Sequence, residues 1–144
     1  MDLQCALYMN RARSLTQLGR NQEAAQDLSV IIGLRTGELH ELAKKWGGQS
    51  VGESERREQL IKAHYLRART RLARLRIEPA RVDLAGAIAL DPPEATGKLL
   101  RQLQRDIDVA ERERLQSNKK IAKEVAKFAE QAMAHLSEEQ IAAM

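Results

Sequence analysis

Residues 62–92 read KAHYLRARTRLARLRIEPARVDLAGAIALDP, and this stretch decides the fold. Its pattern predicts one helix, a short turn at Arg76 to Glu78, and a second helix opened by Pro79 and ended by Asp91-Pro92. Small residues fall where two helices must cross closely: Ala68 on the first, Ala80 and Ala87 on the second. A helical hairpin of about thirty residues cannot bury its own apolar side, so a second copy is expected to stack against it.

Sliding the chain against itself by 56 residues finds that copy. Arg11-Ala12-Arg13 falls on Arg67-Ala68-Arg69, and Ala24 falls on Ala80. In the same register Asp27 meets Asp83, Leu28 meets Leu84, Ile32 meets Ile88 and Leu34 meets Leu90. Eight identities in one register, several at helix-packing spacing, make internal repetition the strongest inference from the sequence.

Composition agrees with that reading. The chain has 144 residues, 43% hydrophobic and 31% charged, which suits one domain of ordinary size. Only 3% is aromatic, and the many Ala, Leu, Arg, Glu and Gln residues favour helix throughout. A net charge of +4 and a pI near 9.5 suit acidic partners. Cys5 stands alone, so no internal disulfide can form and a reducing compartment is expected. No stretch reaches the length of a membrane span and no signal peptide opens the chain, so a soluble, cytoplasmic protein is expected.

In chain order, residues 2–18 should form the first helix, with Leu3, Leu7, Ala12, Leu15 and Leu18 on one face and Gly19 as its stop. Asn21 is placed to cap the next helix, whose buried stripe would be Ala24, Leu28, Ile31 and Ile32, with Gly37 ending it. Residues 37–60 then read as an insertion. Leu39, Leu42 and Trp46 have the spacing of a short helix with Trp46 as a hydrophobic anchor, Gly47 to Gly52 suggest a loop, and Ser54 with Glu55 suggests the next cap. After Pro92 a long charged helix is expected. Leu99, Leu103 and Ile107 would carry its first stripe and Ile121, Val125, Phe128 and Ala132 a later one, interrupted at Arg114 and Ser117-Asn118.

Two segments carry a family resemblance: LYMNRARSLTQLGRNQEAAQDLSVIIGL at 7–34 and the opening stretch at 62–92. Each resembles a tetratricopeptide repeat, with Ala12, Ala24, Ala68, Ala80, Ala87 and Pro92 where that repeat places small residues and its closing proline. The resemblance implies an all-α, right-handed array of helical hairpins. Its parts would be a first repeat at 1–36, a helical insertion at 37–60, a second repeat at 61–94 and a long C-terminal capping helix in 95–144, together one domain.

More narrowly, these repeats resemble the chaperone-binding domains of immunophilin-like and other heat-shock co-chaperones. That likeness implies a groove gripping the acidic C-terminal tail of a heat-shock chaperone, with Asn10 and Lys62 matching the asparagine and lysine of a carboxylate clamp. A terminal carboxylate beside acidic side chains requires fixed cations and amide donors in one concave place. The arginine that the family places four residues after the lysine is Leu66 here, with Arg67 beside it. In such arrays the first helix of each pair lines the concave surface. Asn10, Arg13, Lys62, Tyr65, Leu66 and Arg69 are therefore the candidate peptide-binding residues.

Other chemistry has less support. His40, His64 and His135 are far apart, no metal-ligand spacing, phosphate loop or nucleophile motif is found, and neither catalysis nor a cofactor is expected. Lys119, Lys120, Lys123 and Lys127 put positive charge along one side of the last helix, which raises nucleic-acid or acidic-lipid binding. Glu124 and Glu130 intervene and no aromatic platform accompanies the lysines, so solvation of an amphipathic helix is the expected role. Self-association through the stripe from Ile121 to Leu136 remains as an alternative, with the chain acting as a structural or oligomerising adaptor.

Overall fold

The computed structural model describes residues 3–46, 51–140 and 142–143, with the side chains of 38–46, 51–52 and 137–139 left undescribed. The described residues form five helices and no strand: α1 (Leu3–Gln17), α2 (Asn21–Trp46), α3 (Val51–Ala73), α4 (Ile77–Ala89) and α5 (Glu94–Glu139). Two compact units divide them, residues 1–108 and residues 109–144.

In the first unit each helix packs on the next, α1 on α2, α2 on α3 and α3 on α4. Two clusters of buried side chains result. Cys5, Ala12 and Leu15 of α1 meet Ala24, Leu28, Ile31 and Ile32 of α2, and Leu60 and Ala63 of α3 close this first cluster. Ile61 and Ala68, from another side of α3, meet Ile77, Ala80, Leu84 and Ala87 of α4 in the second. The N-terminal part of α5 completes that cluster with Leu100, Leu103 and Ile107. Helix α3 is therefore apolar on two sides, and Leu90 packs against both clusters.

The register of 56 residues acquires a physical meaning here. Ala12 and Ala68 are buried on the first helix of each pair, and Ala24 and Ala80 on the second, so the absence of a larger side chain lets the backbones approach. The turns repeat as well. The Arg20 amide donates to the Leu15 carbonyl at 2.8 Å and the Gly19 amide to Thr16 at 3.1 Å. Fifty-six residues on, the Arg76 amide donates to Arg71 and the Leu75 amide to Leu72, both at 2.9 Å. This is the two-bond closure that satisfies carbonyls at a helix C-terminus, and it needs a left-handed residue, Gly19 in one copy and Leu75 in the other.

Several boundaries differ from those the sequence suggests. Gly37 does not stop α2, which continues to Trp46. The second copy carries Asp91-Pro92-Pro93 where the first has Arg35-Thr36-Gly37, and a lone glycine costs only about 1 kcal/mol within a helix. The residues read as an inserted helix thus extend α2, and α3 starts at Val51, which puts Ser54 inside the helix and not at its cap. The anchoring of Trp46 and the loop at Gly47-Gly48 lie outside the described side chains and residues.

Helix α2 begins at Asn21, with the Arg20 carbonyl accepting the Ala24 amide at 3.1 Å, so Arg20 takes the cap position expected of Asn21. Arg76 does the same for Ala80, so α4 opens at Ile77, and Pro79 lies within its first turn instead of opening it. Leu3, Leu7 and Leu18 of the expected α1 face are exposed, because α2 covers the side carrying Cys5, Ala12 and Leu15. Leu100 is buried where Leu99 was expected, so the α5 stripe is rotated by one residue at its start.

No described helix is long and apolar enough to cross a membrane. In the second unit no described residue is buried.

Candidate functional site

Five of the seven arginines on α1 and α3, namely Arg11, Arg13, Arg67, Arg69 and Arg71, divide by their partners. Arg11 pairs with Asp27 across the first hairpin, its Nε donating at 2.7 Å. Arg67 pairs with Asp83 across the second, its Nη2 donating at 2.6 Å. These pairs occupy the same places in the two copies, and both aspartates are buried. Their surroundings differ. The Arg11 side chain is 63% exposed, whereas Arg67 is 15% exposed.

Asp83 has further partners. Arg71 donates to its Oδ2 at 2.7 Å, and His64 Nδ1 lies 3.3 Å from Oδ1. Burial pushes the Asp83 carboxyl up, but hydrogen bonds from His64 and Arg67 and the charges of Arg67 and Arg71 outweigh it and hold the group below its ordinary value. Arg11 is shifted upward, first by its hydrogen bond to Asp27 and then by that residue's charge. Arg67 also donates to Ser29 Oγ at 3.0 Å, which ties α3 to α2.

Arg13 and Arg69 have no carboxylate partner among the described residues. Two residues beyond Arg11 and Arg67 on their helices, they turn away from the aspartates and are exposed. They line one groove of about 340 Å³ between α1 and α3. Its apolar part is Leu28 and Leu66, with Thr16 and Thr70 beside them. The Thr70 hydroxyl donates to the Leu66 carbonyl at 2.8 Å and the Thr16 hydroxyl to Ala12 at the same distance, so both hydroxyls serve the helix backbone. The guanidinium of Arg69 also stands 5.7 Å from the centre of the Tyr65 ring, close enough for cation–π attraction to fix it.

Of the six candidate residues, the groove brings together Arg13, Leu66 and Arg69. Asn10, Lys62 and Tyr65 are outside its lining. Asn10 and Lys62 are exposed, and the Lys62 ammonium lies 3.5 Å from Glu58 one turn earlier. Tyr65 is half-buried against the second cluster. Thr16, Gln17 and Thr70 belong to the lining although sequence reading did not single them out, and Leu28, expected only as a core residue, lines it too. Thr16 and Thr70 lie three and four residues from Arg13 and Leu66, a spacing that places each pair on one helix face.

A small exposed apolar surface on α1 is formed by Leu7 and Tyr8 beside Gln4 and Arg11. Among the described residues no three His, Cys, Asp or Glu side chains gather as a metal site requires. No protein-family model, no curated protein and no solved structure matches the chain.

Proposed function

We propose that this chain is a protein-interaction module of tetratricopeptide-repeat type that binds an acidic peptide in the groove between α1 and α3. The observation that carries the reading is that Arg13 and Arg69, both without carboxylate partners among the described residues, line one groove together with the apolar Leu28 and Leu66. Two cations beside an apolar lining suit a peptide that presents carboxylates together with an apolar residue. The repeat assignment is supported by hairpins that share turns, cap positions and a cross-hairpin ion pair in one register. In its most concrete form, the ligand is the acidic C-terminal tail of a cytoplasmic heat-shock chaperone. No catalysis is assigned to the groove.

Titration with acidic C-terminal peptides, with a free or amidated terminus, tests this reading. Binding is expected to weaken at least tenfold on Arg13→Glu or Arg69→Glu and to fall with salt. A free-terminus preference would place the terminal carboxylate in the groove. Equal affinity for wild type and both variants would overturn the assignment.

The second reading is an oligomerising adaptor acting through α5, favoured by the exposed apolar residues Ile121, Val125 and Phe128. Light scattering of the intact chain and of the Phe128→Asp variant separates the two. A mass that falls to the monomer in the variant supports the adaptor, and a monomer in both removes it.

A further inference from the structure

The C-terminal part of α5 has a face that nothing in its own unit covers. Ile121, Val125, Phe128, Met133 and Leu136 are all at least half exposed, Phe128 most of all at 74%. At 3.6 residues per turn, Ile121, Val125, Phe128, Ala132 and Leu136 fall on one side of the helix, with Met133 on its edge. Lys119, Lys120, Lys123 and Lys127 fall on the opposite side. Glu124 and Glu130 are near enough in sequence to neutralise two of these lysines, yet none of the four has a carboxylate partner among the described residues. The segment thus carries four lysines against two glutamates, a net positive charge, opposite a continuous apolar stripe within α5.

We infer that residues 119–136 form an amphipathic helix that lies in the surface of a bilayer containing anionic lipids. A polar face rich in lysine, opposed to a face carrying Phe, Leu and Ile, is the pattern that seats a helix in the headgroup region. The apolar stripe enters the acyl boundary and the lysines meet the anionic headgroups. This segment rests on the surface and does not cross, since no described helix has the length of apolar sequence that crossing requires.

A second copy of the chain fits the stripe less well. Two helices zip together over three or four heptads, whereas this stripe spans about two, with Arg114 and Asn118 where it would continue towards the N-terminus. The residues flanking it, Ala122 and Ala129 on one side and Glu124 and Gln131 on the other, offer no opposite charges to pair between copies.

Sedimentation of the full chain with vesicles tests the inference. Phosphatidylcholine vesicles with and without phosphatidylserine are compared at low and high salt. The chain is expected to sediment with the anionic vesicles, and less so at high salt. Each of Lys120→Gln and Lys123→Gln should lower the partition roughly fivefold, the effect of one basic residue near such a surface. A Val125→Asp/Phe128→Asp double variant should lose binding. Both side chains are exposed, so its circular dichroism and unfolding midpoint should match wild type and exclude misfolding as the cause.

Absence of binding to anionic vesicles overturns the inference, as does binding that the double variant retains. If the chain ignores vesicles but forms dimers that the double variant abolishes, the stripe belongs to a second copy. If wild type and double variant bind duplex DNA equally and neither sediments with vesicles, the lysines belong to phosphate backbones. Each of these results is independent of whether the groove between α1 and α3 takes a peptide.

Discussion

Leu75 stands in the second hairpin where Gly19 stands in the first, with φ of 58° against 76°. The same pair of amide-to-carbonyl bonds closes both turns, so the geometry has been kept while the residue differs. A leucine in the left-handed region costs about 1 kcal/mol relative to glycine, and its side chain recovers little because it is 69% exposed. Leu75→Gly should therefore raise the unfolding free energy by about 0.5–1 kcal/mol, and Gly19→Ala should lower it by about 1 kcal/mol, both measured by urea denaturation.

The paired aspartates should respond unequally. Asp83→Asn leaves Arg67 and Arg71, mostly buried themselves, facing a neutral amide at a fully buried position, and a loss of about 3 kcal/mol is expected. Asp27→Asn releases Arg11, whose guanidinium is already in solvent, so its effect should be clearly smaller. Urea midpoints of the two variants, compared at one pH, check the order.

Acid should reveal the same carboxylate. Asp83 is held below its ordinary value, so the unfolded chain, whose aspartates titrate near about 3.9, takes up the proton first as pH falls. Its stabilising contribution is complete above that value and is lost as pH drops through the lower folded value. Denaturation curves from neutral pH down to about pH 3 should show this loss in wild type, and a flatter profile in Asp83→Asn.

Gly33 and Gly37 sit inside α2, and a methyl group added at either meets no neighbouring atom. Gly33→Ala and Gly37→Ala should each stabilise the protein by about 0.5–1 kcal/mol through helix propensity alone. Gly86 is different. A methyl there would come within 3.1 Å of the His64 ring, which lies against Asp83. Gly86→Ala should thus lower stability, as thermal unfolding of the three variants would show.

Leu66 offers a test of the groove. On the proposed clamp reading it stands where arginine is expected, and it packs against the first cluster. Leu66→Arg should strengthen binding of an acidic peptide at low salt while costing about 1–3 kcal/mol of stability, since a charge replaces partly buried apolar surface. Calorimetric titration and urea denaturation of the same preparation measure both effects.

The repeat was legible because its identities are residues with few substitutes. Ala12, Ala24, Ala68 and Ala80 are fixed by close packing, and the Arg–Asp pairs by a buried carboxylate. The pairing itself could not be read: Arg11 and Arg13 look equivalent on paper, and only the helix crossing shows that the first is taken by Asp27 while the second has no carboxylate partner among the described residues. The length of α2 was hidden for a related reason. Gly37 is a weak stop, and what ends the matching helix in the second copy is Asp91 in the left-handed region followed by two prolines, a signal absent at 35–37. Lys62 shows the opposite limit, since the resemblance that singled it out says nothing of Glu58 one turn away.

The sharing of α3 between two clusters bears on how the first unit comes apart. With Leu60 and Ala63 committed to one neighbour and Ile61 and Ala68 to the other, the helix cannot unwind without baring both interiors. Either hairpin opening alone would strand an apolar side of α3 in water. Melting should consequently occur in one transition, with the NMR signals of side chains in the two clusters and circular dichroism giving the same midpoint. Assembly should be quick, because nearly all of this burial joins helices adjacent in the chain.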